Sequence, residues 1–137
     1  MYTQHTHTHT YTHTSQFYGL WTKADADLND LRLYMVMELC SNGSLQDYIG
    51  KPGTTIAQKL SWACDVSDGI CYLHTRTPCV VHRDIKPGNV VISESGCAKL
   101  VDFGLSKTVS ASNGPLTTMV GTVAYMAPEL MGDDAGA

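Results

Sequence analysis

The sequence predicts an α+β fold, in which antiparallel strands and helices occupy separate stretches of the chain. Three observations support this class: two apolar segments of strand character come early, a long segment with helical spacing follows, and a hairpin pattern comes after it. The 137 residues are 43% hydrophobic and 16% charged, which is typical of a folded chain with one domain at most. A hydrophobic core is therefore expected over most of the chain.

The N-terminal segment is the exception, because threonine alternates there with histidine or tyrosine and almost no residue is apolar. No core can be built from that composition, so we expect a disordered, low-complexity tail over residues 1–16. The alternative is a site for a soft divalent metal, since an extended conformation would place four histidines on one face: His5, His7, His9 and His13.

The compact part of the chain begins at Phe17. Residues 17–21 predict a short strand, and residues 31–39 predict a longer, nearly continuous apolar strand. An acidic turn over residues 23–30 lies between them, so the two strands are expected to form an antiparallel pair.

Two helices are expected next. Residues 44–47 have the Ser-x-x-Asp spacing that opens a short helix. Thr55 and Gln58 form a second capping pattern, which opens a long helix ending near Thr75. The face of this helix that is expected to be buried carries small and apolar residues at helical spacing: Ile56, Leu60, Ala63, Cys64, Ser67, Ile70 and Cys71.

The five cysteines are odd in number, widely spaced and without a C-x-x-C pair, so neither a zinc site nor a disulfide framework is expected. Cys64 and Cys71 are expected to be small buried residues of the long helix rather than a redox pair. Reduced thiols indicate a reducing compartment, so we expect a cytoplasmic protein, and attachment of a parent protein to a membrane stays open.

The charge pattern argues against two classes of partner. The net charge is −4, and neither a nucleic acid nor an anionic membrane surface is expected to bind such a chain. No segment approaches the roughly 20 consecutive apolar residues of a membrane span, and the polar N-terminus lacks the apolar core of a signal peptide. We therefore expect no nucleic-acid partner and no membrane segment in this chain.

The side chains that could take part in catalysis or metal binding lie on both sides of the last predicted strands. Residues 90–101 form a hairpin pattern of two short apolar segments around a turn. The loop before it carries Asp84, Lys86 and Asn89, so one short loop supplies a base, a cation and a metal ligand. Asp102 directly follows the hairpin and could converge with the asparagine on Mg²⁺, which prefers oxygen ligands.

Together these motifs resemble the eukaryotic protein kinase family. The sequence H-R-D-x-K-P-x-N occurs at residues 82–89, D-F-G at residues 102–104 and A-P-E at residues 127–129, in the order of that family. The lysine of the first motif and the Gly-Thr pair at residues 121–122 are similar to Ser/Thr kinases, and the overall pattern is similar to their tyrosine-kinase-like group.

The resemblance implies a truncated protein-kinase-like fold. Residues 17–137 would form a partial kinase domain with the end of the N-terminal sheet lobe, the hinge, the catalytic loop, the activation segment and the first part of the helical lobe. Before Phe17 there is neither a lysine nor a glycine-rich loop, and eight residues follow Glu129. We therefore expect the isolated chain to be marginally folded and inactive.

The resemblance also assigns catalytic roles. Asp84 would be the base for the substrate hydroxyl, and Lys86 would neutralise charge on the transferring phosphoryl group. Asn89 and Asp102 would hold the Mg²⁺ ions that bridge the phosphates of ATP. The implied cofactors are ATP and Mg²⁺, and the implied substrate is a protein with an acceptor Ser or Thr.

The resemblance places a nucleotide hinge at the end of the second strand. Met37 would be the gatekeeper, and the Glu38 carbonyl and the Cys40 backbone would meet the adenine. Val91 would pack under the adenine ring.

The activation segment carries the implied regulatory residues. Arg83 would pair with a phosphate on Thr118 or on its neighbour Thr117, added by an upstream activating kinase. Thr122 would contact the base and the lysine of the catalytic loop.

Two non-enzymatic interpretations stay open. A truncated kinase could act as a binding module for a partner or a nucleotide, or the chain could be a pseudogene-like product. The second is suggested by the tail, which matches the translation of a CACACA repeat, whereas the intact catalytic residues argue against it. A bacterial-type small-molecule phosphotransferase is a further alternative, although it would not normally carry the A-P-E segment.

Overall fold

The computed structural model describes residues 13–25, 30–109 and 120–131. Strands and helices occupy separate stretches, which confirms the α+β class, and the strands pair as three antiparallel ribbons: β1 with β2, β3 with β6, and β4 with β5. In chain order the elements are β1 (Phe17–Asp25), β2 (Asp30–Met37), α1 (Gln46–Ile49), α2 (Ile56–His74), β3 (Cys79–Val81), β4 (Val90–Ile92), β5 (Ala98–Leu100) and β6 (Lys107–Val109).

The first ribbon is the antiparallel pair that the sequence predicts. Its register places Trp21 opposite Tyr34, and their rings lie with centroids 5.0 Å apart. Both strands extend into the predicted turn, so the turn prediction is wrong at its two ends, and residues 26–29 lie outside the described ranges. Many large apolar side chains of the ribbon are exposed, among them Leu20, Leu33 and Met35.

The helix starts follow the capping patterns in the sequence. Thr55 and Gln58 form the predicted reciprocal box, in which the Gln58 amide donates to Thr55 Oγ1 at 3.2 Å and the Thr55 amide donates to Gln58 Oε1 at 2.9 Å. The short helix predicted after Ser44 is present, but Ser44 donates its hydroxyl to Asp47 and no side chain caps the helix amides.

The hydrophobic core lies between α2 and the β4–β5 ribbon. Its largest member is Trp62, whose indole nitrogen donates to the Gly96 carbonyl at 2.9 Å in the turn of the ribbon. Asp65 accepts from the Ala98 amide at 2.8 Å and so fixes the same helix to β5. The buried apolar residues of this core are Trp62, Leu73, Val90, Ile92, Ala98 and Leu100.

The predicted buried face of α2 is wrong. The helix buries Trp62, Gly69 and Leu73, whereas Ile56 and Leu60 are 77% and 63% exposed. The buried residues also repeat at helical spacing, so the helix carries two apolar stripes. The ribbon packs against the stripe with tryptophan because that side chain removes the most apolar surface from water.

The predicted burial of the two cysteines of α2 is wrong as well. Cys64 and Cys71 are exposed rather than buried, and they lie on the stripe that faces away from the ribbon. Ala63 and Ser67 are exposed as well, and only Ile70 of the predicted set contacts the core. All five cysteines carry free thiols in the structure.

Residues 13–16, which the sequence prediction assigned to the tail, run beside β5. Leu100 donates its amide to the His13 carbonyl at 3.0 Å and accepts from the Ser15 amide at 2.9 Å. A side chain at Gly69 would meet this segment, because an added Cβ would lie 2.7 Å from the His13 carbonyl oxygen. The glycine therefore allows a close approach of the segment to α2, and residues 1–12 lie outside the described ranges.

The β3–β6 ribbon was not predicted from the sequence. Val80 pairs with Thr108, so the start of the loop that carries Asp84 is joined to the segment that follows Asp-Phe-Gly. The two strands are three residues each and lie on either side of the functional loops. In the part of the chain that the structure describes, no helix combines the length and the apolar character needed to cross a membrane.

Candidate active site

A buried histidine fixes the start of the loop between β3 and β4. The ring nitrogen Nε2 of His82 lies 2.9 Å from the Val101 carbonyl oxygen, and the ring packs against Phe103 with centroids 5.1 Å apart. Arg83 follows in the left-handed region at φ 68°, a conformation that few non-glycine residues adopt. The loop ends in a 3₁₀ turn over Pro87–Asn89.

Asp84 is the centre of a closed polar cluster. Its Oδ2 atom lies 2.8 Å from Lys86 Nζ and accepts from Asn89 Nδ2 at 2.8 Å. Its Oδ1 atom accepts from the hydroxyl and the backbone amide of Thr122, at 2.7 and 2.9 Å. The lysine also donates to the Thr122 hydroxyl at 2.7 Å, so Asp84, Lys86 and Thr122 contact one another in a ring, and the Asn89 side chain joins this ring through Asp84.

These contacts use the whole accepting capacity of the carboxylate. A carboxylate offers about four lone-pair positions, and each Asp84 oxygen accepts from two donors. The charged form is stabilised most by Lys86, and burial works in the opposite direction. With further bonds from Thr122 and Asn89, the pKa of Asp84 falls to about 2, so the carboxylate is charged at neutral pH.

A glycine brings Thr122 to this carboxylate. Gly121 has φ 121°, and a Cβ there would overlap the Arg83 carbonyl oxygen. The backbone can therefore pass close enough for the next residue to reach Asp84 only if residue 121 has no side chain. The glycine was singled out in the sequence as part of a motif, but its contact partner could not be read from the motif.

The two predicted metal ligands lie at the same open end of the β4–β5 ribbon, Asn89 directly before β4 and Asp102 two residues after the end of β5. Asn89 uses Nδ2 for both of its side-chain hydrogen bonds, to the Asp84 carbonyl and carboxylate, which leaves its amide oxygen for a cation. Its own carbonyl accepts from the Val101 amide at 3.0 Å, one residue before Asp102. Asp102 is exposed, has φ 62° and accepts from the Gly104 amide at 3.3 Å.

These oxygen donors fit Mg²⁺ in chemistry, because an amide oxygen and a carboxylate are hard ligands. Among the described residues, no group of three or more His, Cys, Asp and Glu side chains is arranged to hold a metal. The proposed set is smaller and includes an asparagine, so bound phosphates and water would complete the coordination.

The predicted hinge runs from the end of β2 onto β4. Glu38 contacts Lys99 and Gln16, whereas the residues after Cys40 bond to β4 through the Leu45 amide and the Val90 carbonyl, 2.8 Å apart. Val91 lies in the middle of β4, and Met37 ends β2 partly exposed. The structure therefore joins the hinge to the strand that carries the predicted adenine platform.

The hinge carries one thiol with a shifted pKa. Burial is the largest cause that raises the pKa of Cys40, and the negative charge of Glu38 acts in the same direction. The thiol is therefore neutral at physiological pH and is not a reactive thiolate.

The predicted regulatory residues are only partly described. Arg83 donates from Nε to the Leu105 carbonyl at 2.5 Å, which fixes its position beside the turn after Asp-Phe-Gly. Thr117 and Thr118 lie outside the described residues. A cavity of about 170 Å³ lies behind Thr122, lined by the loop arginine and by Tyr125 and Leu130 among others.

Comparison with known proteins identifies the family. The model of the family described as protein kinase domain matches residues 4–136. Human Nik-related protein kinase is 36% identical over 121 residues, which are 86% of this chain and 8% of that protein. A probable serine/threonine-protein kinase of Dictyostelium discoideum is 43% identical over 101 residues, 72% of this chain and 6% of that protein. The probable L-type lectin-domain containing receptor kinase V.3 of Arabidopsis thaliana is 43% identical over 107 residues, 72% of this chain and 16% of that protein.

The strands, the long helix and the loop of Asp84 together define part of a kinase-type α+β domain. The chain belongs to the protein kinase family. The resemblance inferred from the sequence is thereby confirmed, and the family match begins at residue 4, within the predicted tail. The chain spans less than a fifth of the length of each relative named above. Assignment to the tyrosine-kinase-like group stays a prediction.

Proposed function

We propose that this chain is part of the catalytic domain of a protein serine/threonine kinase, which transfers the γ-phosphoryl group of ATP to a Ser or Thr hydroxyl. The observation that carries the proposal is the polar cluster around Asp84, which is formed with Lys86, Asn89 and Thr122. It places an ionised carboxylate, a cation and an amide oxygen on a loop that packed elements hold on both sides. The names of two relatives, which include a serine/threonine-protein kinase and a receptor kinase, support the same class.

Asp84 acts as the base in this proposal. The hydroxyl oxygen of the acceptor forms a bond to the γ-phosphorus, the bond from that phosphorus to the β-phosphate oxygen breaks, and ADP leaves. The hydroxyl proton passes to a carboxylate oxygen of Asp84. A base of low pKa orients the hydroxyl and takes its proton late, which suits a loose transition state with little nucleophilic bonding.

The Thr122 hydroxyl makes, with Asp84 and Lys86, the contacts that an acceptor alcohol would make at this site. The Thr122 hydroxyl donates to Asp84 and accepts from Lys86, which are the two contacts that an acceptor hydroxyl would need. A Ser or Thr hydroxyl has the size of this group, whereas a Tyr hydroxyl lies at the end of a ring. This match supports aliphatic hydroxyls as acceptors.

Asn89 and Asp102 would hold Mg²⁺ through oxygen atoms. When bound, the ion neutralises charge on the phosphate oxygens. The free amide oxygen of Asn89 and the exposed carboxylate of Asp102 support this assignment.

The hinge would bind adenine through its backbone. Among the described residues, neither the Glu38 carbonyl nor the Cys40 amide has a hydrogen-bond partner, so both are available to a ligand. Val91 would contact the ring from below, and Met37 would limit the depth of the pocket. Phosphorylation of Thr117 or Thr118 by an upstream kinase would provide an anion for Arg83.

The 137-residue chain by itself is proposed to transfer no measurable phosphate. Large apolar side chains such as Leu20, Leu33 and Ile56 are more than half exposed in the structure, which supports a low stability of the isolated chain. A non-catalytic binding module is the alternative, and it predicts nucleotide binding without transfer in every form of the protein.

The test uses the protein expressed from the transcript that carries this sequence. Radiolabelled ATP with Mg²⁺ is incubated with a peptide array that presents Ser, Thr or Tyr at a fixed centre. We expect label on Ser and Thr peptides only, with loss of about 10²-fold or more in Asp84→Asn and Asp102→Ala. Glu94→Gln is the matched control, because Glu94 is exposed in the β4–β5 turn. Transfer that persists in Asp84→Asn contradicts the proposal.

We also propose an intracellular location. The five free thiols and the need for ATP support a reducing compartment. Separation of cell extracts into secreted, membrane and cytosolic fractions, probed with an antibody to this sequence, tests it, and recovery from the secreted fraction would contradict it.

A further inference from the structure

The carboxylate of Glu38 connects the hinge to two distant parts of the chain. Its Oε1 atom accepts from Lys99 Nζ at 2.5 Å, and Lys99 lies on β5. Its Oε2 atom accepts from the Gln16 amide at 3.2 Å, and the Glu38 amide donates to the Gln16 carbonyl at 2.8 Å. One side chain thus holds residues from three segments that are far apart in the sequence.

The N-terminal side of this connection is itself fixed to β5. Leu100 donates to the His13 carbonyl and accepts from the Ser15 amide, at 3.0 and 2.9 Å. Because Leu100 adjoins Lys99, the contacts close a ring from the hinge to residues 13–16, on to β5 and back to the hinge. A closed ring of this kind restrains the hinge more strongly than any single bond would.

The ion pair in this ring is largely removed from water. The Lys99 and Glu38 side chains are 14% and 22% exposed. Burial works to raise the pKa of Glu38, but the hydrogen bonds from Lys99 and from the Gln16 amide outweigh it and hold the pKa below its ordinary value. The pair is therefore charged at neutral pH and is weakly screened by salt, unlike an exposed surface pair.

The ring also connects the hinge with the predicted adenine platform. Lys99 on β5 is the cross-strand partner of Val91 on β4. Directly opposed residues of an antiparallel pair carry their side chains on the same face, so the lysine and the valine share a face of this ribbon. Through Lys99, the Glu38 carboxylate fixes the separation between the hinge backbone and Val91.

We infer that Glu38 and Lys99 form a positioning pair that sets the width of the adenine slot between the hinge backbone and Val91. Neither side chain touches the reacting groups, and the inference rests on the proposed function. The pair holds the Glu38 carbonyl and the Cys40 amide ready for the adenine edge before the nucleotide arrives, so binding costs less ordering of the hinge. Loss of either partner lowers the affinity for the adenine part of a nucleotide and leaves the phosphate contacts in place.

The test measures the binding of two probes to the same protein that is used for the transfer assay. Mg·ADP needs the adenine slot, whereas Mg·tripolyphosphate carries phosphates without a base. We expect Glu38→Gln and Lys99→Gln each to weaken Mg·ADP binding by about tenfold, which is ~1.4 kcal/mol, with tripolyphosphate binding unchanged within about twofold. The double variant is expected to be no weaker than either single variant, because both remove the same pair.

A second readout follows the hinge without a ligand. Hydrogen exchange of the Glu38 amide, which donates to the Gln16 carbonyl, is expected to be faster in both single variants than in the wild type. Glu94→Gln, which matches the charge change of Glu38→Gln, is the control in which no change is expected. Circular dichroism of each variant reports the fold. If a single variant fails to fold, the other one and the double variant carry the comparison.

The outcomes separate the inference from the proposed function. If the wild type binds Mg·ADP and both variants bind it equally well, the inference alone is overturned. An equal loss of Mg·ADP and tripolyphosphate binding also overturns it, since a general structural defect would act on both probes. Failure of the wild type to bind Mg·ADP overturns the proposed function and the inference together. A selective loss of Mg·ADP binding with faster hinge exchange supports both.

Discussion

Replacement of Gly121 by alanine tests how Thr122 reaches the carboxylate of Asp84. Residue 121 has φ 121°, where a non-glycine residue costs about 1–3 kcal/mol. The added Cβ would also overlap the Arg83 carbonyl oxygen, which is backbone and cannot rotate away. The backbone must shift, and the shift removes the amide and hydroxyl bonds from Thr122 to Asp84. Each bond to a charged group contributes about 1.5–3 kcal/mol, so the local effect exceeds the strain alone.

The assay is hydrogen exchange at the Thr122 amide, with phosphoryl transfer as a second readout. A local loss of about 3 kcal/mol corresponds to an increase of more than 10²-fold in amide exchange. The matched control is Gly88→Ala in the loop that carries Asp84, because an added Cβ at Gly88 has no atom within 4 Å and the residue lacks a positive φ. Exchange at Thr122 that is equal in the two variants would refute the close approach as the reason for this glycine.

Three further predictions concern stability. The pKa of Asp84 is about 2 in the folded protein, below its value near 4 in the unfolded chain, so the ionised carboxylate stabilises the fold above about pH 4. This contribution is lost as the pH falls from about 4 to about 2. Acid titration of the wild type and Asp84→Asn, followed by circular dichroism, should show a difference in that pH range. Gly69→Ala should destabilise by about 1–3 kcal/mol despite its gain in helix propensity, and limited proteolysis should then cleave near residues 13–16. Leu73→Ala should cost about 2–5 kcal/mol and Leu60→Ala less than about 0.5 kcal/mol in urea unfolding, and equal losses would contradict the observed burial of the helix.

Local signals in the sequence were sufficient for much of the fold and of the site. The capping box at Thr55 and the β4–β5 hairpin depend on neighbouring residues, so their spacing determines them. The resemblance of the motifs at residues 82–89 and 121–122 to those of protein kinases implies the contact between Thr122 and Asp84 that the structure contains. In each case the information needed lies within a few residues or within one motif set.

The features that sequence reasoning missed depend on long-range packing. The α2 helix has two apolar stripes, and only the position of the β4–β5 ribbon decides which one is buried, with Trp62 on the buried side. The β3–β6 pair joins two segments of three residues, which are too short for a periodic pattern. The polar residues 13–16 bind β5 through their backbone, so their side chains gave no signal. The role of Lys99 also depends on a long-range contact, because its partner Glu38 lies 61 residues away in the sequence.

In the proposed reaction, the saturated carboxylate of Asp84 determines how an acceptor alcohol enters. Since both oxygens already accept from two donors, a new hydroxyl must replace one donor instead of adding a fifth. Such an exchange conserves the number of bonds to the carboxylate, so its free energy is small and its direction depends on what the displaced donor finds elsewhere. Of the four donors, the Lys86 ammonium has the most to gain, because it can turn from a carboxylate to a phosphate. For the proposed reaction we therefore expect phosphate binding by Lys86 and access of the alcohol to Asp84 to be coupled.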